Sequence, residues 1–413
     1  MTDLFQPLTL PNGQQIPNRL AKAATEENLA DSEHQPGSAL RTLYGSWAEG
    51  GVGLIITGNV MVDRHALTGP GAVVLEDDRQ LPAFRAWAAA CRSQGAQVWM
   101  QINHPGRQMM AALGQPARGP SAVPVAIPGM EKLFAVPQAL TEAEIEGVIQ
   151  RYVNAARLAE QAGFTGVQIH AAHGYLFSQF LSPLTNKRTD QWGGALENRA
   201  RILLRTVDAV RAAVSPQFCV AVKLNSADFQ RGGFVIDDAI AVVLMLNERA
   251  LDLIELSGGS YESPAMQGQS RDGSTMAREA YFLTFAEQVQ RVARMPLMVT
   301  GGVRRPQVAQ QVLDSGIAMV GMATALALQP DLPKRWRSGE KLAVEPVRVN
   351  WKNRTLASVA TQAIIKKQLV RLSQGKPIKV KGSPFLALVA SQLKLKRQSE
   401  YYRRWIVAAD RRA

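Results

Sequence analysis

A (β/α)8 (TIM) barrel followed by a basic helical C-terminal extension is the fold class this sequence predicts, and three observations predict it. Eight short apolar runs recur with helix-like stretches between them; the runs are near-continuously apolar; and each ends in polar residues or glycine. Continuous apolar strands alternating with helices imply a parallel sheet covered on its outer face. Eight units favour a closed barrel over an open doubly wound sheet, which more often has fewer strands and carries a Gly-rich dinucleotide fingerprint after the first. No GxGxxG follows the first strand here.

In chain order the strand candidates are "RLAKAA" (19–24), "GLIIT" (53–57), "QVWMQIN" (97–103), "GVQIH" (166–170), "CVAVKL" (219–224), "DLIELS" (252–257), "PLMVT" (296–300) and "IAMVG" (317–321). Helical patterns run through 80–94, 140–163, 195–214, 237–250, 278–293 and 305–315. In the second of these, Thr141 and Glu144 read as a capping box and Gly163 as the residue that ends the helix. The connections 104–140 and 174–194 exceed the usual two to six residues, which reads as a lid or substrate wall. Beyond about residue 340 the alternation stops, and helices broken at Gly375, Pro377, Gly382 and Pro384 follow. The expected division is a barrel over 1–340 and an extension over 341–413.

The formal charge of +13 sits in one place. After residue 330 there are 20 Lys and Arg against 5 Asp and Glu, whereas residues 1–330 hold 27 against 29. A basic tail suits phosphates, anionic lipid or an acidic partner, or else forms the solvated face of helices packed on the barrel or at a contact in a homo-oligomer. Two cysteines, Cys91 and Cys219, are too few for a disulfide scaffold, a zinc site or an iron–sulfur cluster, so no metal is expected. The N-terminal residues lack a basic stretch followed by an apolar run, and no segment approaches about 18 uninterrupted apolar residues, so the expected location is cytoplasmic.

Chemistry in such a barrel gathers at the C-terminal ends of the strands. Those ends hold Thr25 and Glu26, Thr57 to Asn59, Gln101 to His104, His170 with His173 and Tyr175, Lys223 to Asn225, Ser257 to Ser260, Gly301 with Gly302, and Gly321 onward. Glycines in "VTGGVRRP" and "MVGMATALA" let backbone N–H groups approach a phosphate closely. Gln101 and Lys223 suit a flavin, an amide for the pyrimidine edge and a fixed positive charge for the anionic reduced ring. His170 and His173 can bring two imidazole donors to one carbonyl or phenolate oxygen, with Tyr175 as a proton donor beside them. Zinc would need a third ligand and an activating carboxylate that the spacing does not offer.

The stretch "IHAAHGYLFSQFLSPLTNKRTDQWGGALENRARI" resembles the signature of the Old Yellow Enzyme family of NAD(P)H:flavin oxidoreductases, and the similarity covers roughly residues 4–335. The resemblance implies a single barrel with non-covalent FMN, reduced by NADH or NADPH. It further implies hydride transfer from flavin N5 to the β-carbon of an enone-like or quinone-like acceptor. His170 and His173 would bind the acceptor oxygen and Tyr175 would protonate the α-carbon. Carried over in the same way, Ala23, Ala24, Thr25, Glu26, Asn59, Gln101 and Lys223 would surround the ring, and Gly301, Gly302, Val303, Ala323 and Thr324 would receive the phosphate. Three positions depart from the family's habit. Lys223 stands where many members have arginine, Glu26 where a threonine or cysteine is common near flavin O4, and Thr324 where a phosphate-binding arginine is usual.

The same residues bear on three other classes. Dienoyl-CoA reductases add a cysteine-ligated iron–sulfur cluster and a second nucleotide-binding domain, and neither is expected here. Dihydrouridine synthases join a similar barrel to a basic extension that binds tRNA, but need a loop cysteine as acid; with Cys91 in a helical stretch and Cys219 starting a strand, no nucleic-acid partner is expected. A non-catalytic flavin-binding, membrane-associated protein would rest on "SPFLALVASQLKLKRQSEYYRRWIV" (383–407), where apolar and basic residues mix as in interfacial helices.

Overall fold

A computed structural model describes residues 3–265, 279–280 and 282–412. All eight expected strands form: β1 Leu20–Lys22, β2 Leu54–Ile56, β3 Gln97–Asn103, β4 Gly166–Ala171, β5 Cys219–Asn225, β6 Leu253–Ser257, β7 Leu297–Thr300 and β8 Met319–Met322. Each pairs in parallel with the next, β8 returns to β1, and the cylinder is closed. The helices that cover it are α1 Ser38–Glu49, α2 Leu81–Arg92, α3 Glu142–Gln161, α4 Leu196–Ala213, α5 Ile236–Leu246, α6 Leu283–Gln290 and α7 Pro306–Asp314, with the short helices Thr324–Leu328 and Leu332–Arg337 completing the ring. Residues 278 and 281 of the expected 278–293 stretch lie outside the described residues.

The strand pleat sorts side chains into two cores. Outward residues such as Leu20, Val98, Ile102, Val167, Ile169, Val220, Val222, Ile254, Leu297 and Val320 merge with the helices into the main core. Inward residues of the lower barrel, including Leu54, Ile56, Trp99, Cys219, Ala221, Leu253, Met298 and Met319, form a second cluster. The N-terminal hairpin Leu8–Thr9/Gln15–Ile16 closes that end, because Leu8, Leu10 and Ile16 belong to the same cluster. The interior is therefore apolar below and polar above, which confines reactive groups to the mouth.

α3 starts with the expected capping box: Thr141 accepts from the Glu144 amide, and the Glu144 carboxylate accepts from the Thr141 amide. Gly163, just past its end, has φ +85°, a conformation that a side chain would strain. α1 escaped the pattern reading, although Leu40, Leu43, Tyr44, Trp47 and Ala48 are buried at helical spacing. Gly45 and Ser46 inside it and Gly50 and Gly51 behind it dilute the signal. The long connection 104–140 is less irregular than a plain loop, holding paired strands at Ala117–Gly119 and Pro137–Ala139.

The extension forms two helices, α8 Arg354–Ser373 and α9 Pro384–Asp410, each N-capped by a side chain, Asn353 and Ser383. Both pack on the barrel. Ile365, Leu369 and Leu372 of α8 enter the main core. Tyr402, Trp405, Ile406 and Ala409 of α9 join Met61, Leu67, Val74, Met109 and Leu113 in a cluster beside the mouth. The Trp405 and His34 rings lie 4.2 Å apart, and the Tyr402 hydroxyl donates to the Arg64 carbonyl at 2.8 Å. We propose 1–340 and 341–413 as the division between barrel and extension.

Candidate active site

Cross-strand register builds the polar upper layer. Gln168 of β4 stands opposite Gln101 of β3, and Lys223 of β5 opposite both His170 of β4 and Glu255 of β6. Side chains level on adjacent parallel strands and pointing inward must meet, and they do. Gln101 Nε2 donates to Gln168 Oε1 at 2.7 Å, Gln168 Nε2 to Glu255 Oε2 at 2.7 Å, Lys223 Nζ to Glu255 Oε1 at 2.7 Å, and Thr300 Oγ1 to the same oxygen at 2.6 Å. Lys223 and Glu255 are 3% and 0% exposed, so this is a fully buried ion pair. A Cβ at Gly321 would fall 2.1 Å from Thr300 Oγ1, so only glycine leaves that bond in place.

His170 is the next-to-last residue of β4, level with Lys223 at the top of this layer. Its Nδ1 accepts from the Ala172 amide at 3.2 Å, which leaves Nε2 to carry the proton as a donor. His173 follows in the left-handed conformation, φ +61°, an uncommon one for a non-glycine residue. Three contacts pin it there: its amide donates to Asn225 Oδ1 at 2.9 Å, its Nε2 lies 2.7 Å from Ser257 Oγ, and its carbonyl accepts from Gln108 Nε2 at 2.9 Å. Such over-determined strain marks functional positions. The two imidazoles lie 5.0 Å apart between ring centroids, and His170 and Tyr175 4.9 Å. Burial first, then the nearby Lys223 charge, holds both histidines well below the ordinary 6.5. At neutral pH both are uncharged; His170 can donate through Nε2, and His173 through Nδ1 where its Nε2 accepts from Ser257 Oγ.

Tyr175 is buried, and its hydroxyl lies 2.9 Å from that of Tyr261 while the Asn59 amide also hydrogen-bonds it. Burial first, then at Tyr175 the neighbouring Tyr261 and at both the negative charge of Glu26, keeps the two phenols above the ordinary 10, so each retains its proton. Tyr261 and Glu255 did not come out of the sequence. Tyr261 follows a strand end in "SGGSYE", a run rich in turn residues, and only the fold aims it at Tyr175. Its loop is fixed by Glu262, which pairs with buried Arg107 and accepts from the Ala126 amide at 2.7 Å, and by the Tyr261 amide donating to Gln108 Oε1 at 3.2 Å.

The remaining expected residues divide by place. Ala23, Ala24, Thr25 and Glu26 follow β1, Asn59 follows β2, and all lie on the mouth side. Gly301, Gly302 and Val303 follow β7, with Gly302 exposed at φ +76°, and Ala323 and Thr324 begin the short helix after the neighbouring β8. Asn103, at the top of β3, keeps both amide atoms buried without a hydrogen-bond partner among the described residues. A planar group with donors and acceptors along one edge and a phosphate at its end fits this set: amide and ammonium groups on one wall, glycines on another. Cys91 lies buried in α2 and Cys219 at the lower end of β5, so neither thiol reaches the mouth.

Residues 3–343 match the NADH:flavin oxidoreductase / NADH oxidase family. The chain belongs to that family. Curated relatives include the NADH-dependent flavin oxidoreductase iliE of Hypocrea jecorina, 36% identical over 79% of this chain and 87% of its own length. The iliE protein of Neonectria sp. is 39% identical over 81% of this chain but 47% of its own length, so the chain spans about half of that relative. Among solved structures, the Old Yellow Enzyme homologue of Zymomonas mobilis superposes with a TM-score of 0.71 at 27% identity, covering 84% of this chain and 95% of that one. Morphinone reductase gives 0.70 at 28%, covering 84% and 92%. The family brings FMN and a nicotinamide reductant, and the amide, ammonium and glycine groups at the mouth are of the kinds FMN requires. No group of His, Cys, Asp and Glu able to hold a metal ion occurs among the described residues, nor any helix long and apolar enough to cross a membrane.

Proposed function

We propose that the chain is an ene-reductase that uses NADH or NADPH to reduce an activated, enone-like or quinone-like alkene. Bound FMN would supply the chemistry of accepting a hydride from the nicotinamide and passing it to the acceptor's β-carbon. Gln101 and Lys223 would hold the ring's pyrimidine side, Ala23, Ala24, Thr25, Glu26 and Asn59 would line it, and Gly301, Gly302, Val303, Ala323 and Thr324 would take the phosphate.

His170 and His173 would donate to the acceptor's carbonyl oxygen and stabilise the negative charge that gathers there as the β-carbon is attacked. Neutral imidazoles do this without transferring a proton to that oxygen. Tyr175 would then give its proton to the α-carbon: its O–H bond breaks, a C–H bond forms and the electron pair stays on the phenolic oxygen. Hydrogen bonds from Tyr261 and Asn59 would hold that phenolate until water restores the proton.

The observation that carries this reading is the His170 ring, 5.0 Å from that of His173 and 4.9 Å from that of Tyr175, at the Gln101–Lys223 layer. Anaerobic mixing experiments test it. Tyr175→Phe should leave reduction of the bound flavin by NADH unchanged and slow its reoxidation by 2-cyclohexenone at least a hundredfold. Reoxidation at the parent rate would remove Tyr175 from the chemistry.

A further inference from the structure

The basic extension is not absorbed by the flavin site. Between residues 346 and 399 there are 12 Lys and Arg and no Asp or Glu. α9 buries one face, against α8 through Ala387 and against the barrel through Tyr402, Trp405, Ile406 and Ala409. The other face is apolar where soluble helices are polar: Phe385 is 61% exposed, Leu386 66%, Val389 38%, Leu393 64% and Val407 52%. At about 100° per residue, these five side chains share an arc of about 100° opposite the buried face. Lys396, Arg397, Arg403, Arg404 and Arg411 fall within about 120° on the same side, with Glu400 as the one carboxylate among them.

We propose that this outer face of α9 docks the protein on an anionic membrane surface, its axis in the interface plane. Phe385, Leu386, Val389 and Leu393 would enter the headgroup–acyl boundary, and Lys396, Arg397, Arg403 and Arg404 would meet lipid phosphates. The apolar side chains lie mostly in the N-terminal half of this side and the basic ones in the C-terminal half, so one surface offers both insertion and charge, and a weak apolar anchor needs such a basic patch to hold. Charge complementarity selects the occupant. A second copy would bring the same uncompensated positive patch against this one. A nucleic acid would match the charge but leave Phe385, Leu386 and Leu393 in water. The anchor would set the adjoining barrel mouth near the bilayer, since the buried face of α9 packs on the Met61–Val74 and Met109–Leu113 segments beside it. The inference does not depend on the reaction proposed above.

Co-sedimentation of the full chain with vesicles tests it, using phosphatidylcholine alone and phosphatidylcholine mixed with phosphatidylglycerol. The expected result is pelleting with the anionic vesicles only, weakened by added salt. Phe385→Ser with Leu393→Ser should lower the partition coefficient at least tenfold, and Lys396→Glu with Arg397→Glu likewise, with thermal midpoints unchanged because all four side chains are exposed. No pelleting with anionic vesicles, or pelleting indifferent to both pairs of substitutions, overturns the proposal. So does self-association that the Phe385/Leu393 variant abolishes, which would give the face to a second copy. Binding of a random-sequence duplex oligonucleotide that only the charge variant weakens, without vesicle binding, would give it to nucleic acid.

Discussion

Replacing Glu255 by Gln isolates the buried ion pair beneath the proposed flavin site. The carboxylate is 0% exposed, and three groups donate to it: Lys223 at 2.7 Å, Thr300 at 2.6 Å and Gln168 at 2.7 Å. The amide keeps the shape and one acceptor oxygen but removes the charge, which leaves Lys223, 3% exposed, without a counter-ion. Breaking a buried pair from one side costs about 3–5 kcal/mol, because the remaining charge stays desolvated. For a chain of this size that corresponds to a fall of about 3–6 °C in thermal midpoint. Lys223→Met combined with Glu255→Gln should regain more than half of the loss, since no unpaired charge remains. With FMN bound, the uncompensated ammonium in Glu255→Gln should also favour the negatively charged reduced ring, so the midpoint potential should rise. Calorimetry of the two single variants and the double, with spectroelectrochemistry of the holoproteins, reads both effects. Additive destabilisation, or a Glu255→Gln variant as stable as the parent, would refute the reasoning.

Three further outcomes follow from the same geometry. Tyr261→Phe removes the hydroxyl 2.9 Å from that of Tyr175 and should slow flavin reoxidation by 2-cyclohexenone about tenfold; combined with Tyr175→Phe it should add nothing, and additive effects would separate the two phenols. Burial lowers His34, His170 and His173 and brings His104 down to about 4, whereas the unfolded chain titrates near 6.5. Below pH 6.5 the unfolded state therefore binds protons that the native state refuses, and stability falls with pH; His104 alone accounts for about 3 kcal/mol between 6.5 and 4. Asp228 and Asp252, raised by burial, oppose this trend, so the clean comparison is urea unfolding of His104→Gln against the parent, whose pH dependence should be steeper. Trp405→Ala, which empties the α9 cluster beside His34, should cost about 3–5 kcal/mol of helix docking and expose the 376–404 lysines and arginines to trypsin; unchanged proteolysis would mean the helix is held elsewhere.

The barrel was legible because its strands run nearly all-apolar and its helices alternate with them, and that signal survives without any knowledge of contacts. Residues near strand ends were legible for the same reason: His170, Gln101 and Lys223 each interrupt an apolar run close to its C-terminal end, where a polar side chain has no reason to be unless it faces the mouth. Two kinds of feature stayed hidden. Glu255 sits within "DLIELS", and only the β5–β6 register shows that it neutralises Lys223. Tyr261 depends on how a loop folds back, which Glu262–Arg107 and Gln108 decide from 153 or more residues away in sequence. The extension was readable as helices from its Gly and Pro breaks, but not which face it buries: that required the positions of Met61, Leu67 and Met109.

The most direct test of the central claim is the visible spectrum of the purified protein, reconstituted with FMN and titrated with a simple phenol. A flavin spectrum that gains a broad long-wavelength band, lost in His170→Ala and His173→Ala, is the predicted result: a phenolate held by the histidine pair over the flavin. A protein that takes up no FMN, or one whose flavin shows no band with any phenol, would contradict the assignment of this barrel mouth to flavin chemistry at His170 and His173.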